Sequence, residues 1–143
     1  MITDKNNCEA KKAFYVLITF LFASIHLNIV LAQSSSFTAP KSADAIKNPL
    51  SGNTECLKYA KVMYTSYCGP CHGEKGRGDG VAAAGMSVKP ADHSSALVQS
   101  QTDGALFWEM SEGHNPMPAY KNVLTESQRW GLINFIRTLS KTT

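Results

Sequence analysis

The sequence predicts a small all-α domain in the C-terminal part of the chain. Residues 56–67 show helical apolar spacing, a second apolar face begins at a capping pattern at Thr125, and no alternating strand pattern of useful length separates the two. Its 143 residues suffice for one compact unit, and the apolar fraction of 43% is that of an ordinary globular protein. The net charge of +3 comes in part from Lys5, Lys11 and Lys12 at the extreme N-terminus, so no basic patch points to nucleic acid.

Taken in order, residues 1–32 read as a targeting segment. Three lysines precede the apolar run Ala13 to Ala32, and Val30-Leu31-Ala32 supplies small or aliphatic residues ahead of Gln33, where cleavage of a signal peptide is expected. The rival is an uncleaved N-terminal membrane anchor, since the run approaches the ~20 residues that span a bilayer. His26 and Asn28 inside it favour the cleaved signal. Either way the rest of the chain is expected to be exported, to the periplasm or the outer face of the cytoplasmic membrane. Cys8 precedes the run, which argues against a lipid-modified N-terminus. Residues 33–48 are rich in Ser, Ala, Thr, Lys and Pro, and are expected to form a flexible tether. The domain proper is then 49–143, small enough that a large buried cofactor would help to fill its core.

Within it, Cys56, Tyr59, Ala60, Met63, Tyr64 and Tyr67 lie on one helical stripe, with Glu55, Lys58, Lys61 and Thr65 between them. The helix they predict runs straight into Cys68. Residues 73–90 hold five glycines, at 73, 76, 78, 80 and 85, in a loop that directly follows two cysteines and a histidine. Thr102 or Asp103 is expected to cap a short helix through Phe107, Trp108 and Met110, ended by Gly113. Thr125 followed by Gln128 forms a capping box for a last helix, which turns Leu132, Phe135, Ile136 and Leu139 to one side with Trp130 and Ile133 beside them.

The chemistry lies in Cys68-Gly69-Pro70-Cys71-His72. Two thiols three residues apart on one helical turn can form thioethers with the two vinyl groups at one edge of a haem, and the next residue can offer its imidazole to the iron. A thioredoxin-like redox pair shares C-x-x-C but follows a strand in a βαβ setting, whereas helices are predicted on both sides here. A structural zinc site needs four ligands, and no second C-x-x-C or paired histidines complete one. A plain disulfide leaves His72 without a part. Haem is therefore the favoured cofactor, one per chain. Candidates for the sixth iron ligand are Met86, Met110 and Met117, with His93 and His114 as nitrogen alternatives. Met117 leads because prolines 116 and 118 stiffen its segment and aim its side chain; His114 is its main rival.

C-x-x-C-H at 68–72, the G-x-x-G-x-G-D-G that follows from Gly73, the segment Gly113 to Tyr120 ending Met-Pro-Ala-Tyr, and Arg129-Trp130 leading a helix that ends Phe-Ile-Arg-Thr-Leu together resemble class I monohaem c-type cytochromes. The resemblance is strongest to the cytochrome c domains attached to, or serving, bacterial respiratory complexes, and it covers about Pro49 to Lys141. It implies a small cytochrome c-like fold in which the first and last helices cross, Ala60 and Tyr64 meeting Leu132 and Phe135. The family usually has glycine where Ala60 stands, which implies a slightly wider crossing. It also implies that the carbonyl of Pro90 accepts a hydrogen bond from the second ring nitrogen of His72 and so sets its tautomer. Cys56 has no place in the family pattern and reads as a small buried apolar residue.

With His72 and Met117 as iron and haem ligands, and Cys68, Cys71 and Pro90 as further haem-binding residues, the expected function is one-electron transfer between redox partner proteins. Those partners would be a quinol-oxidising complex, a terminal oxidase or another cytochrome. Filled axial positions suit a carrier rather than a catalyst, and a thioether ligand favours Fe(II) and raises the potential. Trp108 and Tyr120 read as packing of the haem pocket. The competing functions are a haem peroxidase or a gas-binding haem module, both needing an open sixth site, and a thiol-disulfide enzyme.

Overall fold

The computed structural model describes residues 37–140. The signal or anchor expected at 1–32 and the start of the tether lie outside the described residues. Among the described residues five helices carry the fold: α1 (Leu57–Tyr67), α2 (Gly69–His72), α3 (Ala96–Gln99), α4 (Asp103–Glu112) and α5 (Glu126–Thr138). Short 3-10 turns at Lys41–Ala45, Val81–Gly85 and Tyr120–Asn122 join them. Among the described residues there is no strand, only an isolated bridge between His114 and Met117. The expected all-α class is the observed one.

Local chemistry explains the helix ends. The Thr125 hydroxyl accepts from the Gln128 amide while the Gln128 side chain accepts from the Thr125 amide, the reciprocal box expected from the sequence. Thr102 accepts from the Ala105 amide and so caps α4, as one of the two candidates predicted, and Gly113 ends that helix. Ser95 caps α3, a single turn that the apolar spacing does not mark.

The core forms where α1 crosses α5. Trp130, Tyr64, Leu132 and Ile133 are the largest fully buried side chains, and the rings of Tyr64 and Phe135 lie 5.0 Å apart. Ala60 is fully buried at the crossing, and the close approach comes from the other helix: a Cβ added at Gly131 would meet the Ala60 Cβ at 3.8 Å and the Cys56 sulfur at 3.9 Å. α5 thus supplies the glycine that lets the two backbones approach. Those distances leave room for one methyl and no more. Gly131→Ala is therefore expected to be neutral or to gain up to ~1 kcal/mol from helix propensity. Gly131→Leu should lose about 1–3 kcal/mol by overpacking, read as a lower urea midpoint.

The buried stripe of α1 is narrower than its spacing suggests. Ala60, Tyr64 and Cys68 face inward, whereas Tyr59 is 74% exposed and Tyr67 is 43% exposed. Cys56 stands just before the helix, half-buried, with its thiol 3.7 Å from the Asn53 carbonyl.

The flexible tether expected at 33–48 requires correction over its described part. Ala43 is buried, the Ala39 amide donates to Glu109, the Asn48 side chain donates to both Asp103 and Asn134, and Thr102 donates to Asp44. Residues 37–48 therefore pack along α4 rather than hang free. The attachment uses a small residue, backbone groups and amides, which is why composition alone reads it as a linker. Arg137 completes this side by donating to Asp103 and to the carbonyls of Gln99 and Gln101.

Candidate haem site

Cys68, Cys71 and His72 lie at the junction of α1 and α2, where the helix restarts through Gly69-Pro70. All three are on one turn: the Cys71 and His72 amides both donate to the Cys68 carbonyl, at 3.1 and 2.8 Å. Both cysteines are free thiols. Cys68 is buried, and that burial pushes its thiol up to about 12, with Cys71 adding to the rise. The glycine-rich loop then folds back over this turn, its Gly78 amide donating to the His72 carbonyl and its Gly80 amide to that of Cys71. A Cβ at Gly80 would lie 2.2 Å from the Pro70 carbonyl oxygen, so only glycine permits the return.

His72 is 8% exposed, and burial lowers its pKa despite a hydrogen bond to the backbone. That bond runs from Nδ1 to the Ala91 carbonyl oxygen, 2.9 Å away. The acceptor that the family resemblance implies is the Pro90 carbonyl. It is displaced by one residue because the Pro90 carbonyl is turned toward Gly78, where it would lie 2.3 Å from any Cβ. The consequence for the imidazole is the same: Nδ1 is the donor, and Nε2 keeps a free lone pair.

Of the candidate sixth ligands, Met110 is a core residue, 4% exposed, and Met86 ends the Val81–Gly85 turn. Met117 packs partly buried against the core cluster and exchanges two backbone hydrogen bonds with His114, at 2.9 and 2.6 Å. The Asn115–Pro116 peptide between them is cis. Next along, the Tyr120 hydroxyl donates to the Tyr67 carbonyl at 2.8 Å. That bond ties the end of the Met117 loop to the residue before Cys68, and burial raises the pKa of this phenol to about 12, with Cys68, Cys71 and Tyr67 adding to the rise. His114 is exposed, its ring stacked on Phe37 at 4.8 Å, and Phe37 also stacks on Trp108 at 5.4 Å.

His93 has to be removed from the candidates. Its ring stacks face to face on that of His72, centroids 4.0 Å apart and planes 18° apart. Two imidazoles on opposite sides of one iron point nitrogens at each other and do not stack. Burial and the neighbouring His72 bring the His93 pKa down to about 3 against the raising effect of the Asp92 carboxylate, so it is neutral. Its partner is Tyr64, whose hydroxyl is 2.8 Å from His93 Nδ1. No motif in the sequence joins this pair: Tyr64 reads as helix core on its apolar stripe and His93 as a lone histidine.

The donor set fits a covalently held haem: two thiols on one turn, an adjacent imidazole with Nε2 free, and a thioether-bearing loop whose end is hydrogen-bonded to Tyr67, the residue before Cys68. A cytochrome c family model matches residues 57–140, and the chain belongs to that family. It is a c-type cytochrome, with covalent haem c and its iron as cofactor. A chain of the reducing HAO-like protein complex of Kuenenia stuttgartiensis is similar in structure, with a TM-score of 0.59 and 24% identity. The match covers 67% of this chain and 50% of that one, so this chain spans about half the length of its neighbour, and the likeness is one of fold. No curated protein matches the sequence.

Proposed function

We propose that the chain is a class I monohaem electron carrier, with thioethers to Cys68 and Cys71, His72 as proximal ligand and Met117 as the sixth. The observation that carries this reading is the His72 imidazole, tied through Nδ1 to the Ala91 carbonyl directly beside two free thiols on one turn. Haem supplies one-electron exchange at its iron. The residues supply the rest: His72 orients one nitrogen donor, Met117 offers a soft thioether that favours the reduced state, and the packed α1–α5 core limits water. Met117 is preferred to His114 because its side chain packs on the core, whereas the His114 ring is exposed and occupied by Phe37.

The partners are redox proteins outside the cytoplasm, of the class of a quinol-oxidising complex, a terminal oxidase or another cytochrome. Residues 1–32 direct export, and 49–143 with the packed 37–48 segment form the working domain. N-terminal sequencing of exported protein should begin at Gln33; a start at Met1 or Ile2 together with membrane partitioning would show a retained anchor instead. The functional test is the visible spectrum of the oxidised protein. A low-spin spectrum with a sulfur-to-iron band near the red end is expected, and a high-spin spectrum that changes on adding peroxide or carbon monoxide would turn the reading to a peroxidase or gas-binding module.

A further inference from the structure

We propose that Tyr64 and His93 are positioning residues for the haem ligand: the Tyr64 hydroxyl latches the His93 ring, and that ring sets the plane in which the His72 imidazole stands. The inference rests on the reading of His72 as proximal ligand. A histidine ring turns easily about its last side-chain bond, where the preferred angles are broad. The Nδ1 bond to Ala91 holds one edge of the His72 ring, and the His93 face at 4.0 Å and 18° stops rotation about that bond.

A plate works only if it is itself fixed, and His93 is held at three points. Its amide donates to the Gly76 carbonyl at 2.6 Å, its carbonyl accepts from the Gln99 side chain at 2.7 Å, and its Nδ1 meets Tyr64 at 2.8 Å. Tyr64 is fully buried, so its O–H needs an acceptor, and donation to His93 Nδ1 provides one. That places the His93 proton on Nε2. The Tyr64 ring also lies against Phe135 of α5, which anchors the latch in the helix crossing. The ligand plane is thereby tied to the buried crossing of α1 and α5.

The plane of an axial imidazole decides how unpaired spin spreads over the haem in the oxidised state, and the paramagnetically shifted haem methyl resonances report it. The test uses the full chain with haem attached. His93→Ala should reorder or compress the methyl shifts, Tyr64→Phe should move them in the same sense by less, and His93→Phe, which restores a flat ring, should lie nearer the parent than His93→Ala does. A purely structural role would lower the unfolding midpoint in all three and leave the methyl pattern of the folded protein alone. Parent-like shifts in His93→Ala or in Tyr64→Phe, or His93→Phe no closer to the parent than His93→Ala, would overturn the proposal. If His93→Ala does not fold, a parent-like Tyr64→Phe still overturns it and a shifted one still supports it. His72→Ala separates the two levels: retention of the low-spin spectrum there would overturn the proximal-ligand reading itself.

Discussion

Replacing Met117 with alanine should abolish the sulfur-to-iron band, lower the reduction potential and make the reduced protein bind carbon monoxide readily, where the parent does not. The argument is electronic and steric at once. A thioether stabilises Fe(II), so its loss lowers the potential, and an alanine methyl at 117 cannot reach across to close the site. The neighbouring substitutions divide the ligand models. His114→Ala should keep the parent's spectrum, because that ring is exposed and stacked on Phe37. Met110→Leu should act through packing alone, since Met110 is 4% exposed in the core, and a volume-conserving swap there costs ~1 kcal/mol with the spectrum unchanged. A Met117→Ala protein with the parent's spectrum, potential and indifference to carbon monoxide would remove Met117 from the iron.

Gly113→Ala should be nearly as disruptive without touching any donor atom. Gly113 ends α4 at φ +65°, and a Cβ there would lie 2.5 Å from the Ala119 amide nitrogen and 2.5 Å from the Pro118 carbonyl carbon. The positive φ alone costs about 1–3 kcal/mol for a residue with a side chain. The collision is with backbone, which has no rotamer by which to yield. The segment Gly113 to Tyr120 must therefore open, and Met117 moves with it. In a urea titration the sulfur-to-iron band should be lost well before the helical signal, whereas the parent should lose both together. Gly131→Ala, where the added methyl meets only ordinary contacts, is the contrasting substitution.

What the sequence made legible follows from which forces leave a local pattern. The Thr125–Gln128 box, the Thr102 cap and the apolar face of α5 are encoded within a few residues, and each is found where its spacing predicts. C-x-x-C-H is legible for the same reason, since thioether attachment demands a fixed spacing on one turn. The packed 37–48 segment is not, because Ala43, Ala39 and Asn48 hold it through contacts to residues far along the chain. The His72 acceptor moved from Pro90 to Ala91 because a loop of glycines has no rigid register, and one residue of slip is invisible without coordinates. His93 was legible as a histidine but not as a stacking partner. Its place depends on the Gly76 carbonyl and on the Tyr64 hydroxyl, which arrive from two different elements.

The central claim, that Cys68 and Cys71 hold a haem covalently beside His72, is tested most directly by the intact mass of the denatured protein expressed with haem-attachment machinery. Thioethers are carbon–sulfur bonds that survive unfolding, so the mass should exceed that of the mature chain by one haem, and acid–acetone should leave the colour with the protein. Cys68→Ala or Cys71→Ala should reduce attachment to a single weaker linkage or none. A parent mass equal to the bare mature chain, with the colour extracted into acetone, would contradict the account.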